Sequence, residues 1–330
     1  MKQGLNRFEY YLQKTEVLLS QAAAEKNAGL WLYANDLRTP LFMLEGLAKL
    51  YAGLHNEKRF SKLKEDFKLL EDILGAVDYY DAFAKEFSAD PNIPSFITEY
   101  LQAQSREKIQ RLNDLLQERS WMGEGADRIR KIRKKLYDAD WKKDSKEIKG
   151  IAGFYKKSID EINGFVTELN FKFTNIELHV HALRRKLRWL SIYPRALQGA
   201  IQLTDSHVPD EQVTKYLTES VINSPFNKMP EAGSNECFLM LEKNYFLALS
   251  WMIAELGRIK DSGLKVITVT EAFQQTKNIS QTEAFALAYR VLGDQQPYIT
   301  TLLAQASDIS SAYLKQGNLD KLLSGIASID

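Results

Sequence analysis

The residues best suited to chemistry lie on one predicted helix. His181, Arg184, Arg185 and Arg188 are spaced so that all four fall on a single helical face. Val180, Leu183, Leu187 and Leu190 form an apolar stripe beside them. Cations crowded on one face repel each other by tenths of a kcal/mol per pair. Such a face calls either for acidic partners or for a bound anion. Arginine suits the second role, because its planar fork makes bidentate bonds to phosphate oxygens. Spacing alone leaves both readings open.

A second cationic feature is the run from Arg128 to Lys149. It holds Arg128, Arg130, Lys131, Arg133, Lys134, Lys135, Lys142, Lys143, Lys146 and Lys149 against Asp138, Asp140, Asp144 and Glu147, a local net charge of +6. Ile129, Ile132 and Leu136 give it an apolar side. Runs of this kind attract polyanions by local potential and counterion release, or form an ordinary solvated face. No signature of a common nucleic-acid module accompanies it.

Other chemistries find little support. His179 and His181 stand at i, i+2, whereas zinc-binding pairs on one helix stand at i, i+4. His55 and His207 stand apart, so no metal site is expected. The sequence has no glycine-flanked serine elbow, P-loop or dinucleotide glycine fingerprint. Cys237, at the start of a predicted apolar helix, reads as a small buried hydrophobe. The pairs Glu71/Asp72 and Asp78/Asp81 read as solvent-facing or capping carboxylates. No catalytic set emerges, and no cofactor is implied.

Composition sets the outer bounds. The chain has 330 residues, 45% hydrophobic and 26% charged, with 44 Lys plus Arg against 43 Asp plus Glu and a net charge of +1. That is enough apolar material for a core, and it excludes global disorder. One cysteine excludes a disulfide scaffold and a four-cysteine zinc site. Near-zero net charge argues against a uniformly basic nucleic-acid binder. No apolar stretch reaches the length of a signal-peptide core or a membrane span. The expectation is a cytoplasmic protein without membrane attachment.

The elements that must position these residues are helices. Only 8 prolines and 17 glycines interrupt the chain, and the intervals carry apolar residues at three- and four-residue spacing. Helices are predicted near 4–26, 29–54, 58–88, 94–119, 124–137, 143–171, 174–203, 209–222, 237–261, 281–293 and 296–316, with a short one near 318–328. The β-branched stretch Val266-Ile267-Thr268-Val269-Thr270 reads as an extended linker. A weak internal repeat aligns Asn35-Asp36-Leu37-Arg38-Thr39-Pro40-Leu41 with His181-Ala182-Leu183-Arg184-Arg185-Lys186-Leu187. A later helix then carries Leu74-Gly75 in the first half and Leu256-Gly257 in the second. The predicted fold is an all-α helical bundle of two related halves, 1–165 and 166–330, sharing a basic cleft within a single domain.

At these residues the chain resembles the CHAD domain, the conserved-histidine α-helical domain. In that family each half carries a helix beginning His-x-x-Arg, followed by further basic residues and a leucine stripe. His181 through Leu190 is similar to the second such helix. In the first, Asn35 stands at the histidine position, Arg38 is kept, and Phe42, Met43 and Glu45 stand at positions that are usually basic. Leu74-Gly75 through Asp81 resembles the family's Leu-Gly-x-x-Arg-Asp-x-Asp element, with Asp78 at the arginine position. Ser105-Arg106-Glu107-Lys108 resembles the start of the next, Arg-rich helix.

The resemblance implies non-catalytic binding of inorganic polyphosphate or another phosphate-rich anion. Its ligands would be His181, Arg184, Arg185 and Arg188, with Arg38 from the first half and Arg106, Arg128, Lys131 and Lys135 at the rim. The partner expected is a polyanion, neither a membrane nor a specific nucleic-acid sequence. Phe42, Met43 and Glu45 suggest the alternative, a helical interaction or scaffold protein with a degenerate cavity and no small ligand.

Overall fold

Where helices start and stop in this chain is set by side chains that satisfy the orphan amides and by residues with positive φ. A computed structural model describes residues 2–123, 125–205, 209–233, 235 and 237–325. The chain is all-α, with a single small sheet among the described residues. It forms two compact units: Gln3–Trp141 with Lys265–Gln296, and Lys142–Leu264 with Pro297–Asp330. The division falls after Trp141 rather than near residue 165, and a later segment belongs to the first unit.

The first unit opens with α1 (Gln3–Ala22), α2 (Ala28–Ala34), α3 (Arg38–Leu54), α4 (Glu57–Ser88), α5 (Ser95–Glu118) and α6 (Arg128–Tyr137). The helix expected over 29–54 is in fact two. Asp36 adopts φ +55°, the Leu37 amide closes back on the Leu32 carbonyl, and the Asp36 carboxylate accepts from the Thr39 amide and hydroxyl. Such side-chain bonds offer the backbone an alternative to a continuous ladder. They start a fresh helix with Arg38 as its first residue.

In the second unit come α7 (Asp144–Glu168), a π-helical turn (Ile176–His181), α8 (Ala182–Ala196), α9 (Glu211–Thr214) and α10 (Glu219–Ile222). Strands β1 (Ile201–Leu203) and β2 (Leu239–Leu241) pair in parallel, Ile201 opposite Leu239. The helix predicted over 174–203 therefore begins as a π turn and ends early, and that over 209–222 is two short pieces. Cys237 precedes β2 and is only half-buried. His207 lies outside the described residues.

Next, α11 runs from Lys243 to Lys277, followed by α12 (Gln281–Leu292), α13 (Ile299–Lys315) and α14 (Asn318–Leu322). Val266–Thr270 is helical, not a linker. Val266, Thr268, Val269 and Thr270 are all buried, and the Thr270 hydroxyl returns a hydrogen bond to the Val266 carbonyl at 2.7 Å. β-branched residues lose only tenths of a kcal/mol in a helix, whereas burying each side chain is worth about 1.5–3 kcal/mol. Burial wins. Among the described residues no helix is long and apolar enough to cross a membrane.

Each unit has its own core. In the first, α4 packs against α3 and α5, burying Leu41, Leu44, Leu63, Phe67, Leu70 and Leu101. An aromatic cluster joins α1, α3 and α4 to Trp141. Phe8 lies 5.6 Å from Tyr51 and 5.9 Å from Phe60 between ring centres, and Trp141 lies 5.2 Å from Tyr51. His55 stacks on Tyr51 in the same cluster. The Trp141 indole donates to the Leu136 carbonyl. In the second unit Val180 of the π turn and Leu183, Leu187 and Leu190 of α8 are fully buried, with Ile151 and Tyr155 of α7 and Phe246, Met252 and Leu256 of α11.

Removing the ring that closes the aromatic cluster leaves a cavity at the end of the first unit's α3. Trp141→Ala is expected to destabilise the protein by about 3–5 kcal/mol, read from urea unfolding followed by far-ultraviolet circular dichroism. A loss below about 1 kcal/mol would show that this ring contributes little to the core.

Candidate functional site

The cations of α8 gain their setting from the turn before it. Asn175 caps that turn, its side-chain oxygen accepting from the Leu178 amide at 2.8 Å. π turns carry more residues per turn than an α-helix and gather at functional sites. Here the turn fixes two histidines in opposite protonation patterns. The Thr174 amide donates to His179 Nδ1 at 3.0 Å, so in that arrangement Nδ1 is the bare nitrogen. His181 Nδ1 lies 2.8 Å from Glu177 Oε2. Since a carboxylate accepts, His181 Nδ1 carries the proton. Glu177 thus orients the ring and directs Nε2 the other way.

Arg184 is the most constrained of the four. Its guanidinium lies against Gly257 of α11: a Cβ there would stand 3.0 Å from Arg184 Nε. Nε donates to the Ile253 carbonyl at 3.2 Å. Burial pulls the Arg184 pKa down, and the nearby Asp261 carboxylate opposes that shift. Arg185 and Arg188 are exposed on the same helix.

Lys260, also on α11, joins them. It pairs with Asp261 at 2.5 Å, and its charge, like that of Arg185, acts on Glu177. The second unit therefore gathers four sequence-predicted residues, His181 at the end of the π turn and three arginines on α8, and adds Lys260, Gly257 and Glu177. Sequence reasoning did not name these three as site residues. The signal was present for two of them, since Gly257 and Lys260 belong to the Leu-Gly segment of the internal repeat.

In the first unit the predicted ligands have other partners. Arg38 Nε donates to Glu71 Oε1 and Nη1 to Asp78 Oδ2, each at 2.8 Å. Arg128 donates to the Arg119 carbonyl and lies 3.4 Å from Asp66. Lys131 pairs with Asp127 at 2.9 Å, and Lys135 stands 3.9 Å from Asp66. Arg133 of the same run is forked onto both Glu9 and Glu16 at 2.7 Å, and these carboxylates hold it firmly protonated. Much of the basic run is thus a salt-bridged face, with acidic partners from α1 and α4 and from Asp127 at the start of α6 itself. Arg106 is exposed on α5.

Compared with known proteins, the chain matches no family model, no curated protein and no solved structure.

The hydrogen bond from His181 holds the Glu177 carboxyl below the ordinary glutamate range, against the upward push of burial. A carboxyl depressed in the folded state stabilises it above the unfolded pKa of about 4.3. That stability is lost as pH falls through the folded value. Carbon-13 titration of labelled glutamate is expected to place Glu177 below its free value in the parent and to move it up in His181→Ala. An unchanged titration in the variant would show that the histidine does not set it.

Proposed function

We propose that this protein is a divergent member of the CHAD family that binds inorganic polyphosphate or another phosphate-rich anion without catalysis. The site is the cationic face of α8, with His181, Arg184, Arg185 and Arg188, completed by Lys260 of α11. What carries this reading is Arg184. A half-buried guanidinium rests on a glycine, donates to one backbone carbonyl, and has exposed arginines beside it on the same helix. A structural ion pair would place a carboxylate against such a group, as the chain does at Arg38, Arg128 and Arg133. Exposed arginines beside a half-buried one on a single helix suit a multivalent anion that spans several donors. Glu177 fixes His181 so that Nε2 remains available to the ligand.

The alternative is a helical interaction or scaffold protein without a small ligand. It draws support from the first unit, where Arg38, Arg128, Lys131 and Lys135 are engaged by the chain's own carboxylates.

Titration with long-chain polyphosphate at two salt concentrations separates the two. Four contacts to a flexible anion predict a log–log slope of about −3, from roughly −0.7 per contact. Arg185→Glu with Arg188→Glu alters exposed positions and is expected to keep the fold. It should weaken binding by about 100-fold or more, since each charge-assisted bond is worth about 1.5–3 kcal/mol. Absence of binding at low salt, or affinity unmoved by the double change, would leave the scaffold reading standing.

A further inference from the structure

Each unit contains an arginine laid over a helical glycine. A Cβ on Gly75 would stand 2.8 Å from Arg38 Nη2, as one on Gly257 would stand 3.0 Å from Arg184 Nε. Both glycines follow a leucine, Leu74 and Leu256, and both arginines lie in the first turn of their helix, α3 or α8. The contact occurs between the segments that the internal repeat aligns. The two seats differ in what flanks the glycine. Four residues before and three after Gly257 stand Ile253, which offers only its backbone carbonyl, and the cation Lys260. At the same offsets from Gly75 stand Glu71 and Asp78, whose carboxylates take the Arg38 fork from two sides.

We infer that the Arg38 seat is a second anion site of the same construction, closed by Glu71 and Asp78, which occupy the place a phosphate group would take. This rests on the anion-binding reading of the second unit. The Glu71 side chain is only 10% exposed, so it does not swing out readily, whereas Asp78 is 53% exposed and replaceable. An entering anion would have to displace both carboxylates and meet their charge. The next carboxylate along α4, Asp81, is already engaged by Lys85 and the Tyr33 hydroxyl. Consequently the parent protein takes up a short polyphosphate through its second unit alone.

Opening the closed seat tests this. Glu71→Gln keeps the acceptor for Arg38 and removes one charge, and Asp78→Lys places a cation where Lys260 stands relative to Gly257. Isothermal titration with inorganic tripolyphosphate is expected to give one site per chain in the parent and two in this double variant. In the Arg185→Glu/Arg188→Glu background the double variant should still bind one. One site in both proteins would overturn the inference and leave the second-unit reading intact. No binding in either would overturn both. Binding by the variant alone would support the closed seat and retire the second-unit site. Should the double variant fold poorly, Asp78→Asn alone, at an exposed position, is expected to bind tripolyphosphate at the first unit at least tenfold more tightly than the parent in that same background. No gain there would count against the inference.

Discussion

A guanidinium partly withdrawn from water must find acceptors, and how this chain supplies them organises most of what is distinctive about it. Burying a charge without a partner costs several kcal/mol. At Arg38 the chain supplies two carboxylates, and at Arg133 two more. At Arg184 it supplies a backbone carbonyl and a carboxylate, Asp261, that is itself paired with Lys260. The same kind of side chain is thus held by two carboxylates in one unit and by a backbone carbonyl in the other. Both versions depend on a glycine beneath the guanidinium. Any larger residue would lift the fork from its helix.

The surroundings of α8 hold its cations on a supported helix. Its buried stripe, Val180 to Leu190, ties the helix to the core of the second unit, so the opposite face presents its cations from a rigid support. Rigidity matters for a charged surface, because donors held in place lose little entropy when they meet a ligand. The capped turn ahead of α8 does the same for His181, whose ring is held by Glu177 rather than by packing.

Much of this was legible in the sequence and some was not. The helical class follows from periodicity, a local property, and the helices are there; on α8 the apolar stripe is buried while Arg185 and Arg188 are exposed. The break at Asp36 was missed because Asn35-Asp36-Leu37 carries no proline or glycine, and a positive φ is held there by bonds closing back from Leu37 and Thr39. The short parallel pair of β1 and β2 joins segments far apart in the chain, so no local pattern announces it. At Arg128 and Lys135 the sequence shows the charge but not Asp66 of α4 beside it, whereas the Asp127 partner of Lys131 stands one helical turn before it and is visible in the sequence. Gly257 and Lys260 were visible within the repeat, but only the seat of Arg184 shows what a glycine does there.

One further consequence attaches to α11. The segment Val266-Ile267-Thr268-Val269-Thr270 combines strong β preference with no charge and no proline, the composition of a segment that stacks into cross-β assemblies when exposed. It is harmless while it is helical and its side chains are covered. Charged residues bracket it: Lys265, paired with Glu86, and Glu271, which accepts hydrogen bonds from Tyr80 and Tyr100. Such flanking charges are the gatekeepers by which chains restrain a sticky stretch during synthesis and transient opening. The helical state of this segment therefore guards the chain's solubility as well as its architecture, and a lesion that frees it would be felt first as aggregation.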